Sequence, residues 1–112
     1  MELHERPHGD TVVVDIRGPV RRENGTTTAL VVELRRLVRS TNYKTILLNV
    51  EELTDIDSVI LGAITQAHTH AIRSGVGLKL LNVTARMREL LEITKLDRFI
   101  EIAESEQKEL GR

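Results

Sequence analysis

Polar side chains are concentrated in one stretch of the chain, residues 49–62, which lies between two apolar runs. The run before it predicts a buried strand, and the run after it predicts a helix. Within the stretch lie four carboxylates and two hydroxyls: Glu51, Glu52, Asp55, Asp57, Thr54 and Ser58. In open α/β sheets, ligands and partners gather at the carboxyl ends of strands. A helix N-terminus favours an anion such as a phosphate. The stretch is therefore the candidate functional site.

The same residues also fit a purely structural role, and both interpretations stay open from the residues alone. Asp and Ser are preferred N-cap residues, so Asp57 or Ser58 is expected to cap the helix. Glu51 and Glu52 fit a solvated turn. The two roles are compatible, because a capping residue can also carry regulation.

The composition limits the class of protein. With 112 residues, the chain is expected to form one domain, residues 1–112, with a modest core. It has no cysteine, which excludes disulfides, thiol catalysis and thiolate metal sites. We find no apolar run as long as a membrane span and no signal-peptide core, so a cytoplasmic location is expected.

Charge and aromatic content argue against nucleic-acid binding. The formal net charge is −1, with one Phe, one Tyr and no Trp, so neither a polycation surface nor a stacking platform is expected. An acidic loop with hydroxyls favours a protein partner instead.

Hydrophobic periodicity predicts the element order β-β-α-β-α-β-α-β, with a final helical turn or two. The predicted strands are residues 2–6, 11–17, 44–50, 77–81 and 98–102, and the predicted helices are residues 28–40, 58–74, 85–93 and 104–110. Strands alternating with helices imply right-handed crossovers. The fold class is therefore α/β: a mixed, mostly parallel sheet with an antiparallel N-terminal edge strand, packed against helices.

Several residues predict how the helices begin, end and pack. One of Thr26, Thr27 or Thr28 is expected to cap the first helix, and Thr84 the third. Ser74-Gly75 is expected to end the second helix. Inside that helix, Gly62 lowers helix stability relative to Ala, which predicts close packing against the sheet.

Two histidines raise the question of a metal site. His68 and His70 are two positions apart, which separates them by about 200° around a helix, whereas a helical metal pair needs i, i+4 spacing. No metal and no cofactor are therefore predicted.

Residues 47–62 resemble the signature of STAS domains. They read Leu47-Leu-Asn-Val-Glu-Glu-Leu-Thr-Asp-Ile-Asp-Ser58, followed after two residues by Leu61-Gly62. Within that family, the bacterial anti-sigma factor antagonists are the most similar branch. Residues 82–100 are similar to the family's third helix and the strand after it. The order of elements fits over nearly the whole chain.

This resemblance implies a partner-switching protein. Such domains bind an anti-sigma factor that is itself a kinase of the histidine-kinase-like ATPase fold, and binding frees the sigma factor. Phosphorylation of a Ser or Thr in the loop abolishes binding, and a phosphatase restores it.

The chain departs from the family pattern of Asp, Ser, Ser or Thr, Gly at the two positions that matter for phosphorylation. Asp57 and Ser58 match the first two members, but Val59 occupies the usual phospho-acceptor position and Ile60 replaces the usual Gly. Val59 has no hydroxyl. Either the switch is lost, or it has moved to Ser58 or Thr54, or the chain is a scaffold-type member regulated by association.

The prediction from the residues and the resemblance together is a regulatory protein-binding module without enzymatic activity. Its partner-binding loop is predicted to comprise Thr54, Asp55, Asp57, Ser58, Val59, Ile60 and Gly62. The runner-up is a small-molecule or nucleotide sensor that uses the same helix N-terminus. Against the sensor, the chain lacks a phosphate-cradling Gly-rich loop, and its acidic residues would repel phosphates unless a metal intervened.

An enzyme is the third hypothesis. Asp55 and Asp57 could hold Mg²⁺ as in a phosphoryl-transfer site. No Lys, Ser/His pair or further carboxylate cluster is spaced to complete such a site.

Overall fold

The computed structural model of the protein describes residues 1–21 and 24–111. Its strands are β1 (Glu2–His8), β2 (Thr11–Arg17), β3 (Thr45–Asn49), β4 (Gly77–Leu81) and β5 (Glu101–Ile102). Its helices are α1 (Thr26–Ser40), α2 (Ser58–Arg73), α3 (Ala85–Ile93) and α4 (Glu106–Leu110). A short 3₁₀ turn, Leu96–Arg98, precedes β5.

The strands form a single five-stranded sheet in the order β1-β2-β3-β4-β5. The β1–β2 pair is antiparallel, and the other three pairs are parallel. The predicted α/β architecture with an antiparallel N-terminal edge strand is confirmed. Because β2, β3 and β4 run in parallel, their carboxyl ends lie at one edge of the sheet, and the N-termini of α1, α2 and α3 follow there.

The two faces of the sheet are covered differently. On one face, apolar side chains of the strands pack with α1, α2 and α3 in the main core, which includes Val14, Leu48, Leu34, Ile64 and Met87. On the other face, a small cluster is formed by Val13, Leu47, Leu81 and Ala103, with Leu110 of α4 packed against it. Burial on both faces explains the nearly continuous apolar runs of β2 and β3.

Ion pairs hold α4 on its face of the sheet. The Nζ of Lys79 in β4 lies 2.9 Å from Glu109 Oε2 in α4 and 2.7 Å from Glu101 Oε2 in β5. Arg6 in β1 lies 2.7 Å from Glu106 Oε1. The last helix is therefore tied to both an edge strand and an inner strand.

The prediction that a threonine side chain caps α1 is wrong. Its N-cap is Gly25, which has a φ of 77° and makes no side-chain capping bond. The hydroxyl of Thr26 forms hydrogen bonds with the preceding loop instead: it accepts from Arg21 N at 2.7 Å and donates to Asn24 Oδ1 at 2.6 Å. The helix consequently begins at Thr26, two residues before the predicted start.

The prediction that Gly62 packs closely against the sheet is also wrong. Gly62 is exposed, and a Cβ built on it would meet no atom within 4 Å. Ile60, which lies two residues away and therefore on the opposite side of α2, carries the core contact at this level.

The last strand is shorter than the predicted residues 98–102. Lys95 adopts a φ of 63° and starts the 3₁₀ turn, in which Phe99 N and Ile100 N both donate to Leu96 O. The residues just before 101 therefore form a turn and do not pair with β4. The predicted end of α2 is confirmed: Ser74 is the C-cap, and Gly75 follows it with a φ of 78°.

Candidate functional site

The candidate site is the loop between β3 and α2 together with the first turns of α2. Leu53 anchors the middle of this loop, because its side chain is buried in the core and its N–H donates to Val50 O at 3.0 Å. Val50 N in turn donates to Leu81 O at 3.0 Å, which continues the parallel ladder past Asn49. The loop therefore leaves the sheet from a fixed position.

Asp57 is the N-cap of α2. Its Oδ1 accepts a hydrogen bond from Ile60 N at 2.9 Å, and its carbonyl oxygen accepts from Leu61 N at 3.1 Å. Of the two capping candidates, Asp57 has this role, and Ser58 is the first helical residue. The structural interpretation of Asp57 is confirmed, and its role in regulation stays a prediction.

The predicted partner-binding residues do not all lie at the surface. Thr54, Asp55, Ser58 and Gly62 are exposed, whereas Asp57 and Val59 are partly buried. Ile60 is 1% exposed and belongs to the main core. We therefore correct the predicted loop surface: Ile60 fixes the start of α2 against the sheet and presents no area to a partner.

An open groove with a volume of about 500 Å³ lies beside this loop. It is lined by Val20, Arg21, Thr27, Thr54, Asp55, Ile56, Asp57 and Arg86. These residues come from the loop before α1 and from the starts of α1, α2 and α3, so the groove marks the edge where these helices begin. Arg21 Nε lies 3.4 Å from Asp55 Oδ2 in an exposed ion pair across it.

A polar network that was not predicted from the sequence supports the loop at the end of β3. Asn49, the last residue of β3, donates from Nδ2 to Asp15 Oδ1 at 2.8 Å. Its Oδ1 accepts from Glu51 N at 3.2 Å and from Asn82 Nδ2 at 3.1 Å. Asn49 therefore joins β2, the candidate loop and the residue that follows β4.

Asp15 is the charged centre of this network. It is 7% exposed, and it accepts from Arg6 through both carboxylate oxygens, at 2.8 Å from Nε and 3.0 Å from Nη2. These hydrogen bonds hold the pKa of Asp15 below its usual value, with the bond from Asn49 acting in the same direction. The pKa of Arg6 is raised by its bonds to Glu106 and Asp15. The negative charge of the buried carboxylate is therefore compensated by the ion pair with Arg6 and the hydrogen bond from Asn49.

A weak signal for this network was present in the sequence. Asp15 is a single charged residue inside the apolar run Val12–Ile16, and its neighbours in the alternation are buried. A charge in such a position needs a partner. The identity of that partner depends on the register of β1 against β2, which local patterns do not determine.

The two histidines on α2 do not meet. His68 is 8% exposed, and burial lowers its pKa, whereas His70 is partly exposed and lines a groove between α1 and α2. Within residues 1–21 and 24–111, no cluster of three His, Asp or Glu side chains is arranged to hold a metal ion. In the same part of the chain, no helix is both long and apolar enough to cross a membrane.

With the fold and the site described, comparison with known proteins identifies the family. The model of the STAS domain family matches residues 4–109, which is nearly the whole chain. The chain therefore belongs to the STAS domain family, as its loop signature predicted. A search of curated protein sequences finds no match.

Solved structures show the same fold at low sequence identity. An anti-sigma factor antagonist from Mycobacterium paratuberculosis matches with a TM-score of 0.80 and 15% identity, covering 98% of this chain and 91% of that one. Phosphorylated Bacillus SpoIIAA, described as a cell fate determinant, matches with a TM-score of 0.71 and 19% identity, covering 99% and 98%. RsbS from Moorella thermoacetica, with a serine-to-glutamate substitution, matches with a TM-score of 0.76 and 18% identity, covering 99% and 93%.

Proposed function

We propose that this chain is a regulatory module of the anti-sigma factor antagonist type, which binds an anti-sigma factor kinase of the ATPase fold in the cytoplasm. Membership of the STAS family and the antagonist named among its structural neighbours support this role. The role needs no chemistry from the module itself, since it acts by occupying its partner, and we propose no enzymatic activity.

The observation that carries the proposal is an exposed surface on a rigidly held loop. Thr54, Asp55 and Ser58 point their side chains to solvent, while Leu53 and Ile60 on either side are buried. Buried anchors on both sides limit the conformations of the loop, which lowers the entropy cost of ordering it when a partner binds.

The chemistry of this surface also indicates its partner. Asp55 and the half-buried Asp57 give it acidic character, and Val59 adds an apolar side chain beside Ser58. A partner with a complementary basic rim and an apolar centre would match it. The proposed partner-binding surface is therefore Thr54, Asp55, Asp57, Ser58, Val59 and Gly62.

Residue 59, the usual phospho-acceptor position of the family, cannot be phosphorylated in this chain, because Val59 has no hydroxyl. Ser58 and Thr54 are exposed hydroxyls in the same loop. One residue along a helix rotates a side chain by about 100°, so a kinase aligned with position 59 does not reach Ser58 in the same orientation. We therefore propose a module that is controlled mainly by association.

The experiment is a pull-down from the source cell with three baits. The first is the wild-type chain, the second carries Asp55→Arg and Val59→Arg, and the third carries Glu104→Arg as a matched control on an exposed residue outside the proposed surface. We expect an ATPase-fold kinase with the wild type and the control, and its loss from the double variant. Retention of the same kinase by a folded double variant would contradict the proposed surface.

A further inference from the structure

We propose that a groove between the second half of α2 and the turn before β5 binds a small apolar carboxylate. The carboxylate is held by Arg73 and His68, and the apolar body packs against Ile72 and Phe99. This groove lies at the other end of α2 from the proposed partner surface on residues 54–62. The inference does not rest on the proposed function, because the two surfaces share no residue.

The size of the groove suits a small molecule. Its volume is about 310 Å³, which lies at the lower end of the range of about 300–1,000 Å³ that is typical of small-molecule sites. One wall is formed by residues that recur every three or four positions along α2 and therefore share one face of the helix. The other wall belongs to the 3₁₀ turn and the residues just after it. The lining residues are Thr65, His68, Thr69, Ile72, Arg73, Leu96, Phe99 and Ile100.

The first observation is the apolar surface that this groove exposes. Ile72 on one wall is 55% exposed, and Phe99 on the other wall, the single Phe of the chain, is 72% exposed. Leu96 and Ile100 continue the apolar lining between them. Exposed apolar side chains that line one groove are typical of a binding site. The body of the ligand is therefore expected to be apolar.

The second observation is the imidazole of His68 in the same groove. The residue is 8% exposed, and its ring has no hydrogen bond or ion pair with residues 1–21 and 24–111. In contrast to the hydroxyl of Thr27, which is buried without a partner, the ring nitrogens are not sealed from solvent. Burial lowers the pKa of His68, so its ring is neutral at pH 7 and offers one N–H donor. A ligand oxygen in the groove would supply the partner that this donor lacks.

The third observation is a cation without an acidic neighbour. Arg73, the last residue of α2, is exposed and has no ion pair with the part of the chain that the structure describes. No carboxylate lines the groove. The last carbonyls of α2 do not need this guanidinium, because they accept from the backbone N–H groups of residues 74–76. A guanidinium binds a carboxylate through two parallel hydrogen bonds, so a carboxylate is the expected polar end of the ligand.

The test is an NMR titration of the full chain with hexanoate at constant pH and ionic strength. The ring signals of Phe99, the imidazole signals of His68 and the methyl signals of Ile72 report on the two walls and the donor. Acetate keeps the carboxylate and lacks the apolar body, whereas 1-hexanol keeps the body and lacks the charge. We expect saturable shifts at all three residues with hexanoate.

The two reference compounds give the expected magnitudes. Hexanoate should bind at least about tenfold more tightly than acetate, since burial of two methylene groups is worth about that factor. It should also bind at least about tenfold more tightly than 1-hexanol, which cannot form a hydrogen bond between two charged groups.

Two variants separate the roles of the charge and the apolar wall. Arg73→Gln should weaken hexanoate binding about tenfold and leave 1-hexanol binding unchanged, because only hexanoate is charged. Phe99→Ala should weaken the binding of both compounds, because both use the apolar wall. Arg88→Gln and Val32→Ala change exposed residues that do not line the groove, and both should bind as the wild type does.

His68→Leu adds a readout that needs no ligand. Replacement of a buried polar group without a partner should leave the protein as stable as the wild type or more stable, while hexanoate binding weakens. The proposal is overturned if hexanoate gives no saturable shifts, if it binds no more tightly than acetate and 1-hexanol, or if Arg73→Gln binds it as tightly as Arg88→Gln. A dimer that Phe99→Ala dissociates, in a chain that does not bind hexanoate, would assign the groove to a second copy and would also overturn it.

Discussion

Asn49→Asp changes one donor at the centre of the polar network and leaves its shape unchanged. The new carboxylate keeps an Oδ1 acceptor for Glu51 N and Asn82 Nδ2, which lie 3.2 and 3.1 Å away in the wild type. The Nδ2 donor, 2.8 Å from Asp15 Oδ1, is replaced by an oxygen. The substitution therefore sets two carboxylates against each other in a partly buried position.

The expected cost at pH 7 follows from these contacts. Loss of a hydrogen bond to a charged acceptor costs about 1.5–3 kcal/mol. Two like charges 4 Å apart repel by about 4 kcal/mol at an effective dielectric constant of 20. Arg6 and Arg17, at 2.8 and 3.7 Å from Asp15 Oδ2, offset part of this repulsion. We therefore expect Asn49→Asp to lower the free energy of unfolding by roughly 2–5 kcal/mol at pH 7.

The same reasoning predicts the pH dependence of the loss. In the folded variant, the repulsion between Asp15 and the new carboxylate at position 49 raises one apparent pKa of this pair above the unfolded value of about 3.9. A raised carboxyl pKa destabilises the folded state above it, and protonation restores a donor between the two groups. The difference from the wild type should therefore shrink as the pH falls from 7 towards 4.

Urea unfolding at several pH values measures this difference. Asn42→Asp, at an exposed position between α1 and β3, is the matched control and should cost little at any pH. A loss below 1 kcal/mol at pH 7, or a loss that is the same at pH 4.5 and pH 7, would refute the role assigned to Asn49.

Three further outcomes are expected. Asp57→Ala should lower the free energy of unfolding by about 0.5–2 kcal/mol in urea titrations, and Thr84→Ala, which removes the corresponding cap of α3, should cost a similar amount. The folded-state pKa of Asp15 is lowered, so its contribution to the free energy of unfolding should be complete above its unfolded pKa of about 3.9. This contribution should be lost as the pH falls through the lower folded-state pKa. The loss should be absent in Asp15→Asn. Mass spectrometry after incubation with the partner kinase and ATP should find no phosphate at Val59 and little at Ser58.

Each of these outcomes has a result that would contradict it. If Asp57→Ala is as stable as the wild type, Asp57 does not stabilise the fold as a cap. If the variant also binds the partner as tightly as the wild type, Asp57 has no role in binding. An Asp15→Asn variant with the acid sensitivity of the wild type would show that Asp15 does not set it. Stoichiometric phosphate on Ser58 or Thr54 would show that the switch is intact but displaced.

Local patterns in the sequence were sufficient for the order of the elements and for part of the site. The strongly alternating run Thr11–Arg17 gave a strand with the predicted bounds, and the caps Asp57 and Thr84 followed from residue type and position. These features depend on neighbours within four residues, so the sequence contains the necessary information.

Features that depend on distant residues were not accessible. The bond between Asn49 and Asp15 joins residues 34 positions apart, and the bond between Arg6 and Glu106 joins residues 100 positions apart. The buried hydroxyl of Thr27 follows from the orientation of α1, whose N-cap is Gly25 instead of a threonine. Gly62 was misjudged because the helical wheel gives relative angles and does not show which side meets the sheet.

The role of residues 54–62 in partner binding is tested most directly by the affinity of Ser58→Asp for the purified partner kinase, beside Ser58→Ala. A carboxylate at the start of α2 is compatible with the helix dipole, which should stabilise it by roughly 0.3–1 kcal/mol, so the fold should tolerate it. In the proposed interface this carboxylate would lie beside Val59, at the apolar centre and not opposite the basic rim of the partner, so its charge would be desolvated without a compensating partner. We expect Ser58→Ala to bind normally and Ser58→Asp to bind at least about tenfold more weakly, a change of ~1.4 kcal/mol. A folded Ser58→Asp variant that binds as tightly as the wild type would show that these residues are not the docking surface.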